Sequence, residues 1–163
     1  MQIRIKAMET DAEILGKAFV HWQCWHDSYP GMVRQDYLDR LTLEKCEQMA
    51  FQWRDNQLVA MDGDRVIGFI GYGVREQVQN VGEVFALYVL SEYRGTGAAK
   101  QLMDAALLKL SAYESVCVRV LKQNARAIRF YEKCGFRPTG EEEALPRLDT
   151  VEILMLRKKD ANR

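Results

Sequence analysis

Arg94-Gly95-Thr96-Gly97-Ala98-Ala99 stands where a strand-like run, Glu83 to Leu90, meets a strongly periodic helical stretch. The first amides of a helix have no intrahelical acceptor and carry the positive end of its dipole, and glycines let an anion approach them closely. The turn therefore reads as a cradle for a phosphate or pyrophosphate. A lone pair of glycines is weak evidence, because such turns also form merely to satisfy backbone geometry. A P-loop would need Gly-Lys-Ser/Thr, which is missing, and a dinucleotide fold needs a longer glycine fingerprint opening a βαβ unit. The first such unit here comes halfway along the chain. Glu83 is a second group able to do chemistry. A period of two puts it on one strand face with Phe85, Leu87 and Val89, a carboxylate aligned with an apolar surface. Partial burial would raise its pKa and make it a base; the other reading is a glutamate that merely starts the strand in solvent.

The elements that must hold these groups follow from periodicity. Met1 to Met8 alternates Ile3 and Ile5 with Arg4 and Lys6, a strand pattern rather than a signal peptide. Thr10 and Asp11 are helix caps, and Ile14, Leu15, Ala18, Phe19, Trp22 and Trp25 form a stripe that ends near His26. Asp27 to Gly31 breaks the helix, and a second helical segment lies within Gln35 to Trp53. Leu58 to Met61 and Val66 to Val74 flank Asp62-Gly63-Asp64, a hairpin turn. Ala99, Leu102, Met103, Ala106, Leu107 and Leu110 mark the helix after the glycine turn. Ser115 to Leu121 reads as a strand, Ala125 to Cys134 as a short helix stopped by Gly135, then a short strand from Phe136 to Gly140 and a last one from Thr150 to Leu156. Glu141-Glu142-Glu143 is placed in the loop before that last strand.

At 163 residues the chain suits a single domain spanning 1–163. Apolar residues at 48% and charged residues at 28% describe a globular protein, and 23 basic against 23 acidic residues argue against nucleic-acid affinity. Cys24, Cys46, Cys117 and Cys134 lack the close pairing of a zinc site and read as reduced thiols, so no metal is expected. No apolar run approaches the roughly 20 residues of a membrane span. A cytoplasmic enzyme or binding protein fits these features.

Arg94, Gly97 and Ala99 also match, position for position, the Arg/Gln-x-x-Gly-x-Gly/Ala signature of the GNAT superfamily of acyl-coenzyme A-dependent N-acyltransferases. The chain further resembles that family in Leu87-Tyr88-Val89, in Asn124 with Ala127 and Tyr131, and in Phe130-Tyr131-Glu132-Lys133-Cys134-Gly135-Phe136. The resemblance implies an α/β fold with a mixed, largely antiparallel central sheet flanked by helices and containing a splayed pair of parallel strands. It implies acetyl-coenzyme A as acyl donor, bound between those strands. Backbone groups of Leu87, Tyr88 and Val89 would hold the pantetheine arm, the amides of Arg94, Gly95, Thr96, Gly97, Ala98 and Ala99 the pyrophosphate, and Asn124 the arm once more besides capping its helix.

Acetyl transfer to an amine needs a neutral amine, a polarised carbonyl and a proton source for the departing thiolate. The resemblance gives Tyr131 the last role, against the plainer reading of a core tyrosine, and Glu83 the role of base. Relatives that acetylate protein N-termini carry a base five residues before the capping Asn. Here that position is Arg119, which cannot serve and instead binds an acidic group or pairs with a carboxylate. On the acceptor side the fold implicates Trp25, His26, Asp27 and Tyr29, with Trp22 and Tyr37 nearby; the aromatic density with Asp27 suits a cationic amine, while packing or helix capping explains several of these residues equally well. The implied reaction is direct attack of a primary amine, on a small molecule or a protein, in a ternary complex, and homodimers are frequent in the family. No cysteine nucleophile is needed. Two other readings are a coenzyme-binding or sensing domain that has lost catalysis and a dinucleotide-dependent oxidoreductase, whose fingerprint the chain lacks.

Overall fold

The computed structural model describes residues 2–75 and 78–159. Met1, at the start of the first expected strand, lies outside them. In chain order the elements are β1 (Ile3–Ala7), α1 (Asp11–Ser28), α2 (Gln35–Arg40), α3 (Leu43–Gln52), β2 (Gln57–Asp62), β3 (Arg65–Val74), β4 (Val81–Val89), α4 (Ala98–Lys109), β5 (Ser115–Leu121), α5 (Ala125–Lys133), β6 (Arg137–Leu145) and β7 (Thr150–Lys158). The strands form one sheet in the order β1-β2-β3-β4-β5-β7-β6. Every neighbouring pair is antiparallel except β4 and β5. This is the mixed, largely antiparallel sheet with one parallel pair that the family resemblance implied.

Local chemistry explains most boundaries. Thr10 and Glu13 form a reciprocal capping box at the start of α1, with Glu13 N donating to Thr10 Oγ1 at 3.1 Å and Thr10 N donating to Glu13 Oε1 at 3.0 Å. Lys6 lies 2.7 Å from the same carboxylate and holds its pKa down to about 2. The β2–β3 hairpin turns through Gly63 at positive φ, as Asp62-Gly63-Asp64 predicts. The core carries Phe69, Phe136, Ile14, Ile67, Ile70, Leu102 and Met103, all nearly inaccessible to water, and it fixes the sheet against α1 and α4.

Four expectations are corrected. The helical segment within Gln35 to Trp53 is two helices, because Thr42 accepts a hydrogen bond from Lys45 N at 3.1 Å and caps a new helix, α3. Helix α1 runs on to Ser28, through His26 and Asp27. The strand expected at Phe136 to Gly140 starts at Arg137 and continues to Leu145, so Glu141, Glu142 and Glu143 belong to a strand rather than a loop. As the edge of the sheet, β6 is exposed almost throughout, and an all-exposed edge strand has no apolar alternation to betray it.

The fourth correction bears on the site. Tyr72 of β3 faces Val84 and Gly71 faces Ala86, so Phe85 is an extra residue in β4, a β-bulge. Such an insertion moves all later side chains to the opposite face. Glu83 therefore shares its face with Tyr88, which packs against α1. It does not share one with Leu87 and Val89, and Val89 and Leu102 of α4 both border Gly68.

Candidate active site

Strands β4 and β5 pair only from Val81–Ser115 to Val84–Val118. Beyond that they part, and the parting begins at the Phe85 bulge, which bends β4 away from its neighbour. Ala86 to Val89 keep β3 on one side and leave their other edge unpaired, whereas β5 remains fully paired with β7. The gap opens into a cavity of about 530 Å³, within the range typical of small-molecule sites.

At one end of the cavity lies the glycine turn. Gly95 and Gly97 have φ values of 79° and 87°, a backbone that L side chains rarely adopt, and Gly97 is the N-cap of α4. Thr96 turns inward, donating from its hydroxyl to Tyr93 O at 2.6 Å and accepting from Ala98 N at 3.3 Å. Among the described residues no protein acceptor takes the amides of Gly95, Gly97, Ala99 or Lys100. These free donors at a helix start form an anion cradle. Two guanidinium groups strengthen it: Arg94 and Arg126 each reach Ser28 Oγ at 3.4 Å. Burial and the neighbouring charge of Arg94 hold the pKa of Arg126 below its ordinary value, as expected where two like charges converge without a carboxylate between them.

The middle of the cavity is lined by Leu87, Tyr88, Val89, Asn124 and Tyr131, so these expected residues come together with Arg94, Gly95, Gly97, Ala98 and Ala99. Asn124 accepts from Ala127 N at 3.2 Å and caps α5, as its position predicted. Cys24, on α1, donates to Val89 O at 3.4 Å, and burial pushes its thiol up to about 12. Tyr131 is 7% exposed, and burial raises its phenol well above the ordinary value, so it stays protonated at neutral pH.

On the acceptor side Trp25 and Tyr29 line the cavity, with Trp25 Nε1 donating to Tyr88 Oη at 3.0 Å and Tyr29 Oη 3.2 Å from the same oxygen. The Tyr88 side chain is thus committed to α1, which leaves its backbone for the cavity. His26 and Asp27 do not join the lining. The His26 ring lies 2.9 Å from Leu41 O, and Asp27 accepts from Gln23 at 2.9 Å on the exposed flank of α1. Glu83 is also absent from the wall. It is 5% exposed, aligned with Cys117 of β5, and its carboxylate lies 3.7 Å from Arg119 Nε, so Arg119 does pair with a carboxylate. Burial raises the pKa of Glu83, while Arg119 and Arg75 oppose the rise.

Arg119 and a residue missed in the sequence, Glu152 of β7, stand on the cavity wall instead. Both are shared with a smaller recess of about 60 Å³ against Glu141, Glu142 and Glu143. The sequence signal for Glu152 is a single charge inside the apolar run Val151 to Leu156.

Comparison with known proteins agrees with this geometry. The model of the acetyltransferase (GNAT) family matches residues 19–136. The chain is 32% identical over 152 residues to the uncharacterized N-acetyltransferase YuaI of Bacillus subtilis, covering 88% of this chain and 82% of that one. It is 33% identical over 109 residues to N-alpha-acetyltransferase 30 of Schizosaccharomyces pombe, covering 64% and 73%. A PaiA N-acetyltransferase from Thermoplasma acidophilum, solved in complex with coenzyme A, shares the fold with a TM-score of 0.74 at 22% identity, over 98% of this chain and 100% of that one. On a family match spanning most of its length, and on the motifs that line its cavity, the chain belongs to the GNAT acetyltransferase family.

Proposed function

We propose that the protein transfers an acetyl group from acetyl-coenzyme A to a primary amine, by direct attack within a ternary complex. The observation that carries this reading is the cavity between the parted strands, bounded at one end by free helix-start amides and in its middle by unpaired β4 backbone. A pyrophosphate suits the first, and an amide-bearing pantetheine arm suits the second as an added strand. Acetyl-coenzyme A has both, in that order, with its thioester at the far end of the arm. Tyr131 is the proposed proton donor to the departing sulfur, and its place on the cavity wall beside Asn124 supports that role. Leu87, Tyr88, Val89, Asn124 and the turn from Arg94 to Ala99 are the proposed coenzyme residues, and Trp25 and Tyr29 the proposed acceptor wall. The four thiols are free, and burial raises all of their pKa values. That state suits a reducing, cytoplasmic setting and argues against a thioacyl route through cysteine.

The test is coenzyme thiol release from acetyl-coenzyme A across a panel of alkylamines, amino acids and peptides. Amine-dependent release that falls about 100-fold in Tyr131→Phe, with coenzyme affinity kept, supports the proposal. Tight coenzyme binding without turnover on any amine contradicts it and favours a sensing domain.

A further inference from the structure

An alkylamine arrives as an ammonium ion and must lose a proton before its nitrogen can attack a thioester. Among the described residues lining the main cavity there is no histidine and no aspartate, and Glu152 is the only carboxylate. His21 is half-buried and stacked on Tyr88, with its pKa held down to about 4 by burial, and the His26 ring is spent on Leu41 O. Glu83 lies behind Arg119. From this geometry, and resting on the acetyltransferase reading, we propose that Glu152 is the base that receives the acceptor's ammonium group and takes its proton.

The register supports the assignment. Leu121 of β5 faces Glu152 of β7, so Glu152 emerges on the face that also carries Arg119, Cys117 and Glu83. This is the face covered by Tyr29 and by Leu148, where an acceptor entering from outside the coenzyme would lie. Across the strand pair Glu143 stands directly opposite Glu152, a like-charge pairing that ordinarily destabilises a sheet. The adjacent Glu142 is neutralised by Lys122 at 2.8 Å. The groups facing Glu152 are therefore Arg119 from β5, Glu83 from β4, Glu143 from β6 and Tyr29 from the C-cap of α1. Burial raises the Glu152 pKa, Arg119 lowers it, and Glu143 and Glu83 raise it. The net shift is upward, toward a stronger base.

The proton balance closes. The ammonium gives one proton to the Glu152 carboxylate, and the freed lone pair forms the nitrogen–carbon bond with the thioester carbonyl. The carbon–sulfur bond then breaks. Tyr131 gives the sulfur its proton and is restored by a proton from the nitrogen, while Glu152 returns its own proton to solvent. One ammonium and one thioester yield one amide, one coenzyme thiol and one proton.

Hydroxylamine, neutral near pH 7, needs no such base and separates this role from a general loss of structure. With acetyl-coenzyme A, Glu152→Gln should lose about 100-fold or more in kcat/KM for the best alkylamine of the panel and stay within about threefold of wild type for hydroxylamine. Its coenzyme A affinity should be unchanged. In the wild type, kcat/KM for the amine should level off with rising pH well below the amine's own pKa of about 10. Equal loss on both nucleophiles, no loss on the amine, or a wild-type profile that climbs until the free amine itself forms would each overturn the assignment. Coenzyme binding with turnover of neither nucleophile by the wild type would overturn the acetyltransferase reading and this assignment with it.

Discussion

The two ends of the cavity are built from different materials. At the end proposed for the donor, recognition rests on main chain: the unpaired edge of β4, the free amides of Gly95, Gly97, Ala99 and Lys100, and the N-terminus of α4. At the end proposed for the acceptor it rests on side chains from distant parts of the chain, Trp25 and Tyr29 from α1 and its C-cap, Arg119 from β5 and Glu152 from β7. A main-chain site tolerates most side-chain changes but depends on backbone conformation at a few points. A side-chain site can be altered residue by residue while the sheet beneath it stays as it is. A main-chain site can thus stay constant while a side-chain site beside it changes specificity.

Substitution at Gly97 tests the main-chain half most severely. Gly97→Val puts a β-branched side chain at a φ of 87° and disturbs the donors nearest the proposed pyrophosphate. Losing about 3 kcal/mol from two charge-assisted hydrogen bonds corresponds to roughly a 100-fold weaker coenzyme A affinity, measurable by calorimetry. An affinity within about threefold of wild type would break the comparison, because the backbone at the turn would then be incidental. The smallest effect is expected far from both ends. Thr10→Ala removes the capping box of α1 and should lower unfolding stability in urea by about 1 kcal/mol while leaving coenzyme affinity unchanged. A shift in coenzyme affinity from this variant would show that the packing of α1, through Cys24 on Val89 O, helps set the β4 edge.

The same contrast governs what the sequence discloses. Glycines, a helical stripe and a capping asparagine are local signals, so the turn, α4 and the start of α5 were legible, and with them the family. The acceptor end is not local. Glu152 and Arg119 meet only because β7 returns antiparallel to β5, a pairing that no spacing along the chain reveals. The Phe85 bulge shows the limit most clearly. Strict alternation along β4 put Glu83 on one face with Val89, and a single inserted residue moved Val89 to the opposite face. Phe85 itself, 58% exposed in the strand interior, is the trace this insertion leaves. The family resemblance implicated His26 and Asp27 on the acceptor side, yet α1 extends past them, with the His26 ring against Leu41 O and Asp27 against Gln23.

The central claim is that main chain at the parting of β4 and β5 holds acetyl-coenzyme A, with the pyrophosphate at the Gly95–Gly97 turn. A crystal structure of the protein with acetyl-coenzyme A tests it most directly. The account predicts pyrophosphate oxygens within hydrogen-bond distance of the Gly97 and Ala99 amides, a pantetheine arm paired with the β4 edge, and the thioester between Tyr131 and Glu152. A coenzyme whose pyrophosphate lies away from the turn, or whose arm leaves the β4 edge unpaired, would contradict it.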